Sequence, residues 1–420
     1  MKPTAAQPRK LPDVVFFQEG PGLRNWQWTD DGMKVINGTN ILPDGSVDIS
    51  NTDKFIAQAE FEGRYRRFAI DEGDIVLSSS GTLGKVGRIN ADHLPLMMNT
   101  SVIRFRTKDP SIVDDGYLFA FLRSPQFQAL IRTFAVGGVQ QNFGPVHLKQ
   151  IEMPVPPLHQ QRCIADILSA YDDLIENNRR RMVLLEDAAR QLYQEWFVRL
   201  RFPGHEHTRI TDGIPEGWNQ GTIGDYVGKG VVDLQTGPFG TQLRASDYTD
   251  TGIPVINVRN IGYGDLRADK LEHVPDLVVE RLDVHILRSS DIVFGRKGAV
   301  DRHVLVGPAQ HGWMQGSDCI RLRALTDAVC PLFLSFGFRE EHHKEWMLTQ
   351  CSNKATMASL NQEVIARIPV RVPNARLMRE FRDFASESLR QCDILQRQSQ
   401  KAAEARDLLL PRLMSGEIAV

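Results

Sequence analysis

The sequence predicts an α+β fold: two tandem-duplicated α/β units joined by two long, antiparallel, coiled-coil-like helices with pseudo-two-fold symmetry. Three observations predict it. A ten-residue stretch, "GMKVINGTNI" at 32–41, returns as "GIPVINVRNI" at 252–261 with six identities. Around each copy lie short β-branched runs bounded by Gly, Pro and Asp, the mark of strands. After each copy an extended Pro-containing run leads into a long charged segment that reads as helix. A period near 217 residues is a domain duplication and not a solenoid.

Length and composition agree with two or three domains. The chain has 420 residues, too many for one ordinary core. Hydrophobic residues make up 42% and charged residues 24%, which is globular and not disordered. No apolar run approaches the roughly 20 residues that span a bilayer. The opening "MKPTAAQPRKLPD" has no apolar signal-peptide core, so a cytoplasmic protein is expected. Cysteines 163, 319, 330, 351 and 392 form no C-x-x-C pair, which predicts reduced thiols and no zinc ribbon. The net charge of −2 gives no global attraction to nucleic acid, so any such argument must be local.

The elements follow in order. "QEGP" at 18–21 has its partner in "QTGP" at 235–238, so a three-residue insertion precedes the second "VIN" strand. "GDIVLSSSGTLGKVGRI" (73–89) matches "SDIVFGRKGAVDRHVLV" (290–306), pairing Asp74 with Asp291 and Gly81 with Gly298. Each "DIV" strand leads into a polar glycine turn. A strand is expected at Ser101–Phe105 and Cys319–Leu322, then a helix at Tyr117–Arg123 and Leu332–Phe336. "IEMPVPP" (151–157) and "ARIPVRVP" (366–373) close the units as extended strands. The boundaries are 1–155 for the first unit, 156–200 for a central helix, 201–372 for the second unit and 373–420 for a terminal helix.

No Gly or Pro interrupts residues 158–198. Ile164, Leu168, Tyr171, Ile175, Asn178, Met182, Leu185, Ala189, Leu192 and Trp196 alternate steps of four and three, a sustained seam with one polar position at Asn178. Forty residues make a rod of roughly 60 Å, which must bury its stripe against another helix. In the second segment Phe381, Phe384, Leu395, Ala402, Ala405 and Leu409 fit a seam, whereas Ser388, Gln391 and Gln398 do not. Pro411 is expected to kink or end that helix. Antiparallel pairing of the two rods is the simplest arrangement.

Two similar heads at a fixed spacing suit a two-fold ligand of defined length, such as duplex DNA. Because the heads differ in sequence, the half-sites should differ. The tandem plan resembles the specificity subunit of type I restriction-modification systems. "GIPVINVRNI", "GIPEGW" (213–218), "PPLHQQRCIADILSAYDDLIENNRR" (156–180) and "LLLPRLMSGEI" (408–418) carry the resemblance, which covers nearly the whole chain. The first unit lacks a P-x-G-W start ahead of Phe17. The resemblance implies two target recognition domains, each reading one half of a bipartite double-stranded DNA sequence. It implies that the helices set the unread spacer and dock two modification (methyltransferase) subunits, which restriction (motor-nuclease) subunits join. S-adenosylmethionine, ATP and Mg would belong to those partners, with none bound by this chain.

DNA contact requires cations for phosphates and planar polar groups for base edges. Candidates in the first unit are the turn Ser78–Lys85 with Ser79, Ser80 and Lys85, then Arg88, Arg64, Arg66, Arg67, and Gln140, Gln141 and Asn142. In the second unit they are Arg296, Lys297 and Arg302 on the equivalent turn, with Arg244, Arg259, Asn260, Arg267 and Lys354. Each is equally readable alone as solvated surface. The two turns together carry more weight, because they repeat in place and differ in polar residues. "RRR" (179–181) reads as a solvated helix face or an approach to DNA or a partner, and Trp196 with Phe197 as core.

Catalytic readings fare worse. "GTLGKVG" (81–87) misses the Walker spacing, since Val86 follows Lys85. "HEH" (205–207) and "EHHKE" (341–345) are weak metal patterns. "DEGD" (71–74) reads as a turn, because Asp74 recurs and Asp71 and Glu72 do not. No methyltransferase N/D-P-P-Y/F tetrapeptide occurs. A non-catalytic DNA-reading subunit is expected; a protein-only scaffold, or a nuclease with an unrecognised site, is the alternative.

Overall fold

The computed structural model describes residues 7–420 other than 51, 135–142, 269, 299 and 352–358. Met1–Arg180 with Leu395–Val420 form one compact unit and Arg181–Ile394 the other. The first unit holds a four-stranded sheet in the order Val15–Glu19, Val102–Thr107, Ile75–Ser78, Val86–Arg88. The second repeats it as Val232–Thr236, Cys319–Ala324, Ile292–Gly295, His303–Leu305, and adds Tyr263–Gly264 at the edge. Registers coincide 217 residues apart. Ile103 faces Glu19 as Ile320 faces Thr236, and Ile75 faces Phe105 as Ile292 faces Leu322. Since a slip by one residue would turn every apolar side chain to the wrong face, such coincidence marks one fold used twice.

The repeated decapeptide now has a physical reason. Its "VI" closes a strand, Met33–Ile36 or Ile253–Ile256, that runs parallel to Leu96–Met98 or Met314–Gln315. Its first glycine is left-handed (Gly32 φ 117°, Gly252 φ 135°), and a Cβ there would collide with the carbonyl of Ile56 or Val274. Its two asparagines bracket a 3₁₀ turn. The Asn37 N–H donates to Asn40 Oδ1 at 2.9 Å, and the Asn257 N–H to Asn260 Oδ1 at 3.1 Å. Asn40 then donates to the Asp48 carbonyl and Asn260 to the Arg267 carbonyl, each at 2.9 Å, so the next loop is folded back over the turn.

The start of the first unit, featureless in sequence, is a strand. Gln7–Lys10 pairs with Glu152–Val155, as Asn219–Thr222 pairs with Pro369–Val372. The next residue repeats one backbone bond, Leu11 N–H to Ile151 O and Ile223 N–H to Ile368 O. Offsets of 212 and 217 residues meet in this one ladder, so the alignment drifts ahead of Phe17 although the structure does not.

The first long helix is Leu158–Tyr193, continued by a π turn at Gln194–Val198, and the second is Ala375–Met414. Both run from one unit into the other, and within each unit they pack antiparallel. In the first, Ile164 and Leu168 meet Leu410 and Leu413; in the second, Ala189, Tyr193 and Phe197 meet Leu377, Phe381 and Ala385. Asn178 and Ala189 are buried on the predicted seam, and Tyr171, Ile175, Met182, Leu185, Leu192 and Trp196 are half-buried.

The second helix departs from expectation in two ways. Phe384 is 44% exposed, because the buried stripe passes through Phe381, Ala385, Ser388, Cys392, Leu395, Ser399, Ala402, Arg406 and Leu410. Ala405 and Leu409 lie at its margin, half-buried. Ser388 joins the stripe because its hydroxyl donates back to the Phe384 carbonyl at 3.0 Å. Pro411 does not end the helix, which continues to Met414. Its ring removes the N–H that would bond the Asp407 carbonyl, and the packing of Leu410 and Leu413 in the core offsets that loss.

Candidate nucleic-acid interface

The polar turn after each "DIV" strand is a hairpin. In the first unit the Ser78 hydroxyl donates to the Thr82 carbonyl at 2.5 Å and accepts the Lys85 N–H at 2.9 Å. Gly81 and Gly84 supply the left-handed positions (φ 73° and 87°). A strand and not a helix follows, so no phosphate loop exists at "GTLGKVG". One backbone bond ties the turn inward, Phe143 N–H to Ser79 O at 3.0 Å, and its equivalent is Leu360 N–H to Arg296 O at 2.8 Å.

On this shared frame the side chains differ. Ser79 is buried and donates to the Thr100 carbonyl at 3.1 Å, which removes it from the surface available to a base edge. Ser80 and Lys85 are half-buried. In the second unit Arg296 is half-buried, Lys297 pairs with Asp318 at 3.0 Å, and Arg302 lies 5.1 Å over the Tyr263 ring. The second turn therefore carries Arg296 and Lys297 where the first carries a buried Ser79 and a half-buried Ser80.

The remaining candidates separate into framework and surface. Asn260 is fully buried in the turn described above and is framework, not a reader of adenine. Arg88 is half-buried over Phe119 at 5.1 Å, on the strand after the turn. Arg259 is exposed and ion-paired with Glu272. Arg64, Arg66 and Arg67 are exposed on one helical segment, with Arg64 over Tyr65 and Arg67 over Phe68. Arg244 and Arg267 are exposed. Gln140, Gln141, Asn142 and Lys354 lie outside the described residues. Arg179 and Arg180 both bond Glu176, at 2.8 and 2.7 Å, and the bond from Arg179 holds that carboxyl below its usual range.

Asp74 has a structural task. It accepts the Asp71 N–H at 2.8 Å and is gripped by Arg106, and Asp291 repeats both with the Arg288 N–H and Arg323. Trp196 and Phe197 pack in the aromatic cluster around Tyr193, Phe333 and Phe381. His343 is buried against Phe338, and His205 lies 2.9 Å from the Phe202 carbonyl. Among the described residues no three His, Cys, Asp or Glu stand together to hold a metal, and no helix is long and apolar enough to cross a membrane.

Sequence reasoning missed one polar group. In the first unit Arg123, at the end of helix Asp115–Arg123, bonds Asp172 at 2.7 Å, and Arg406 bonds the other oxygen of Asp172 at 2.6 Å. Its members come from three distant parts of the chain, so no local pattern announces them.

Residues 3–186 match the type I restriction modification DNA specificity domain. Similarity extends over most of the chain in full-length relatives. The MjaVIII specificity subunit of Methanocaldococcus jannaschii is 21% identical over 370 residues, 84% of this chain and 81% of that one. The EcoKI specificity subunit of Escherichia coli is 20% identical over 403 residues, 93% and 83% of the two. Over most of its length the chain is similar to type I restriction-modification specificity subunits. Its fold agrees: the S subunit of M. genitalium superposes with a TM-score of 0.57 at 18% identity, over 97% of this chain and 95% of that one.

Proposed function

We propose that this chain is a specificity subunit, which reads DNA without catalysing a reaction, in the cytoplasm, as part of a type I restriction-modification complex. Each unit reads one half of an asymmetric, interrupted target. The long helices set the unread spacer and dock two methyltransferase subunits, which motor-nuclease subunits join. S-adenosylmethionine, ATP and Mg are handled by those partners. The observation that supports the reading most is the pair of equivalently anchored turns with unlike side chains at their surface, Ser80 and Lys85 against Arg296 and Lys297. A strand frame held in register positions side chains, and side chains that differ on it discriminate different bases.

The test is co-expression with the cognate methyltransferase in an unmodified host, followed by base-resolved mapping of adenine methylation. A single interrupted, asymmetric motif that vanishes without this chain is the expected result. A stable complex that methylates no motif would overturn the reading in favour of a protein scaffold.

A further inference from the structure

The two heads share a feature that base reading does not require. Arg123 donates to the carbonyl of Asp44, at 3.3 Å, and Arg339 to the carbonyl of Gly264, at 3.4 Å. Asp44 and Gly264 are equivalent positions, each three residues beyond the "NI" of the repeated decapeptide. Each guanidinium lies against a left-handed glycine, Gly45 (φ 97°) or Gly264 (φ 98°). A Cβ on Gly45 would stand 3.3 Å from Arg123 Cζ, and one on Gly264 would overlap the Arg339 guanidinium. Two loops of different sequence thus leave the same room for the same cation.

In the first unit the contact continues into the helices. Asp172, on the first long helix, receives Arg123 on one oxygen and Arg406, from the second long helix, on the other. Arg406 also donates to the Asp44 carbonyl at 3.3 Å. Arg123 and Arg406 are largely buried, which weakens screening and makes the geometry directional. Head helix and both rods meet at one carboxylate, and the loop joins them through its Asp44 carbonyl, which the same two arginines bond.

We infer that Arg123, Asp172 and Arg406 form a latch that fixes the angle of the first head on its helices, and so the spacer length the subunit accepts. They are positioning residues and need not touch DNA. The spacer part rests on the function proposed above. A loose head reads the same bases but tolerates a shifted half-site; a latched head does not.

Two measurements on the complex with the methyltransferase test this. Hydrogen exchange of residues 42–48 reads the latch without DNA, because the Gly45 and Asp48 amides bond within that loop. D172N and R406M are expected to speed exchange there roughly tenfold, as loss of one charge-assisted bond would, while D173N, at an exposed neighbour, leaves it unchanged. Unchanged exchange in D172N and R406M overturns the latch. Methylation of substrates with the spacer altered by one base pair reads its purpose. D172N is expected to lose roughly tenfold of the discrimination between spacers and to keep both half-sites. Full discrimination with a loosened loop, or loss of the first half-site itself, overturns the positioning role. A wild-type complex that methylates nothing counts against the proposed function, and the exchange result still decides the latch.

Discussion

Asp291 is 1% exposed and both its oxygens bond Arg323, at 2.7 and 2.6 Å, while it also accepts the Arg288 N–H. Removing the charge leaves a mostly buried guanidinium facing a neutral amide. Asp291→Asn is expected to cost about 3 kcal/mol, read as a lowered urea midpoint for the second unit. Asp74→Asn should cost less, since Arg106 is 37% exposed and keeps Asp71 as a partner. Equal losses would mean that solvent access does not govern these pairs. Histidines give a second residue-scale outcome. Burial against Phe338 and Trp346 pushes His343 down to about 3, and burial holds His303 well below its usual value. Both are neutral in the folded chain, whereas the unfolded chain takes up protons below pH 6.5. At His343 the unfolded state binds more protons between pH 6.5 and about 3, so stability falls as pH drops through that window, and His303 adds to the fall below pH 6.5. The slope from His343 is about 1.4 kcal/mol per pH unit. His343→Phe should flatten the decline between pH 6.5 and 5, measured as the difference in urea midpoints; an unchanged slope would contradict a neutral, buried imidazole.

At the scale of elements, Asn178 lies on the seam of the first long helix, 1% exposed, with its amide nitrogen unpartnered among the described residues. A buried amide without a partner costs stability and, on a helix seam, fixes register. Asn178→Leu is expected to stabilise the protein by about 1 kcal/mol, seen as a raised urea midpoint. A lowered midpoint would show that the amide is satisfied after all. That first seam was legible because Ile and Leu mark it. The second was not, because its stripe is built from Ser388, Cys392, Ser399, Ala402 and Arg406, residues that carry little hydropathic signal yet are buried by helix–helix packing. The candidate site shows the complementary limit. What repeats between the units (Gly32 and Gly252, Asn40 and Asn260, Asp74 and Asp291) is legible, and the structure gives it framework roles. Residues that discriminate must differ between the units, so repetition cannot point to them. Arg123, Asp172 and Arg406 escaped because only the tertiary fold brings them together.

At the scale of the whole molecule, the two helices carry the chain from one unit to the other and are the longest elements among the described residues. A ruler made of helix has a calculable increment. One heptad adds about 10 Å at 1.5 Å per residue, and duplex DNA rises about 3.4 Å per base pair along one strand. Seven residues inserted into both helices, in phase with the seams, should therefore lengthen the unread spacer by about three base pairs. The insertion keeps every seam position on its face, because seven residues make a whole heptad. Both half-sites should be unchanged, since neither hairpin turn nor its anchoring bond to Phe143 or Leu360 is touched. Methylome sequencing of the insertion variant with its methyltransferase reads both quantities at once. A changed half-site would mean that the heads depend on the helices for base reading and not only for placement. An unchanged spacer would mean that the helices do not act as the ruler, and that the distance is set instead by the partners docked on them.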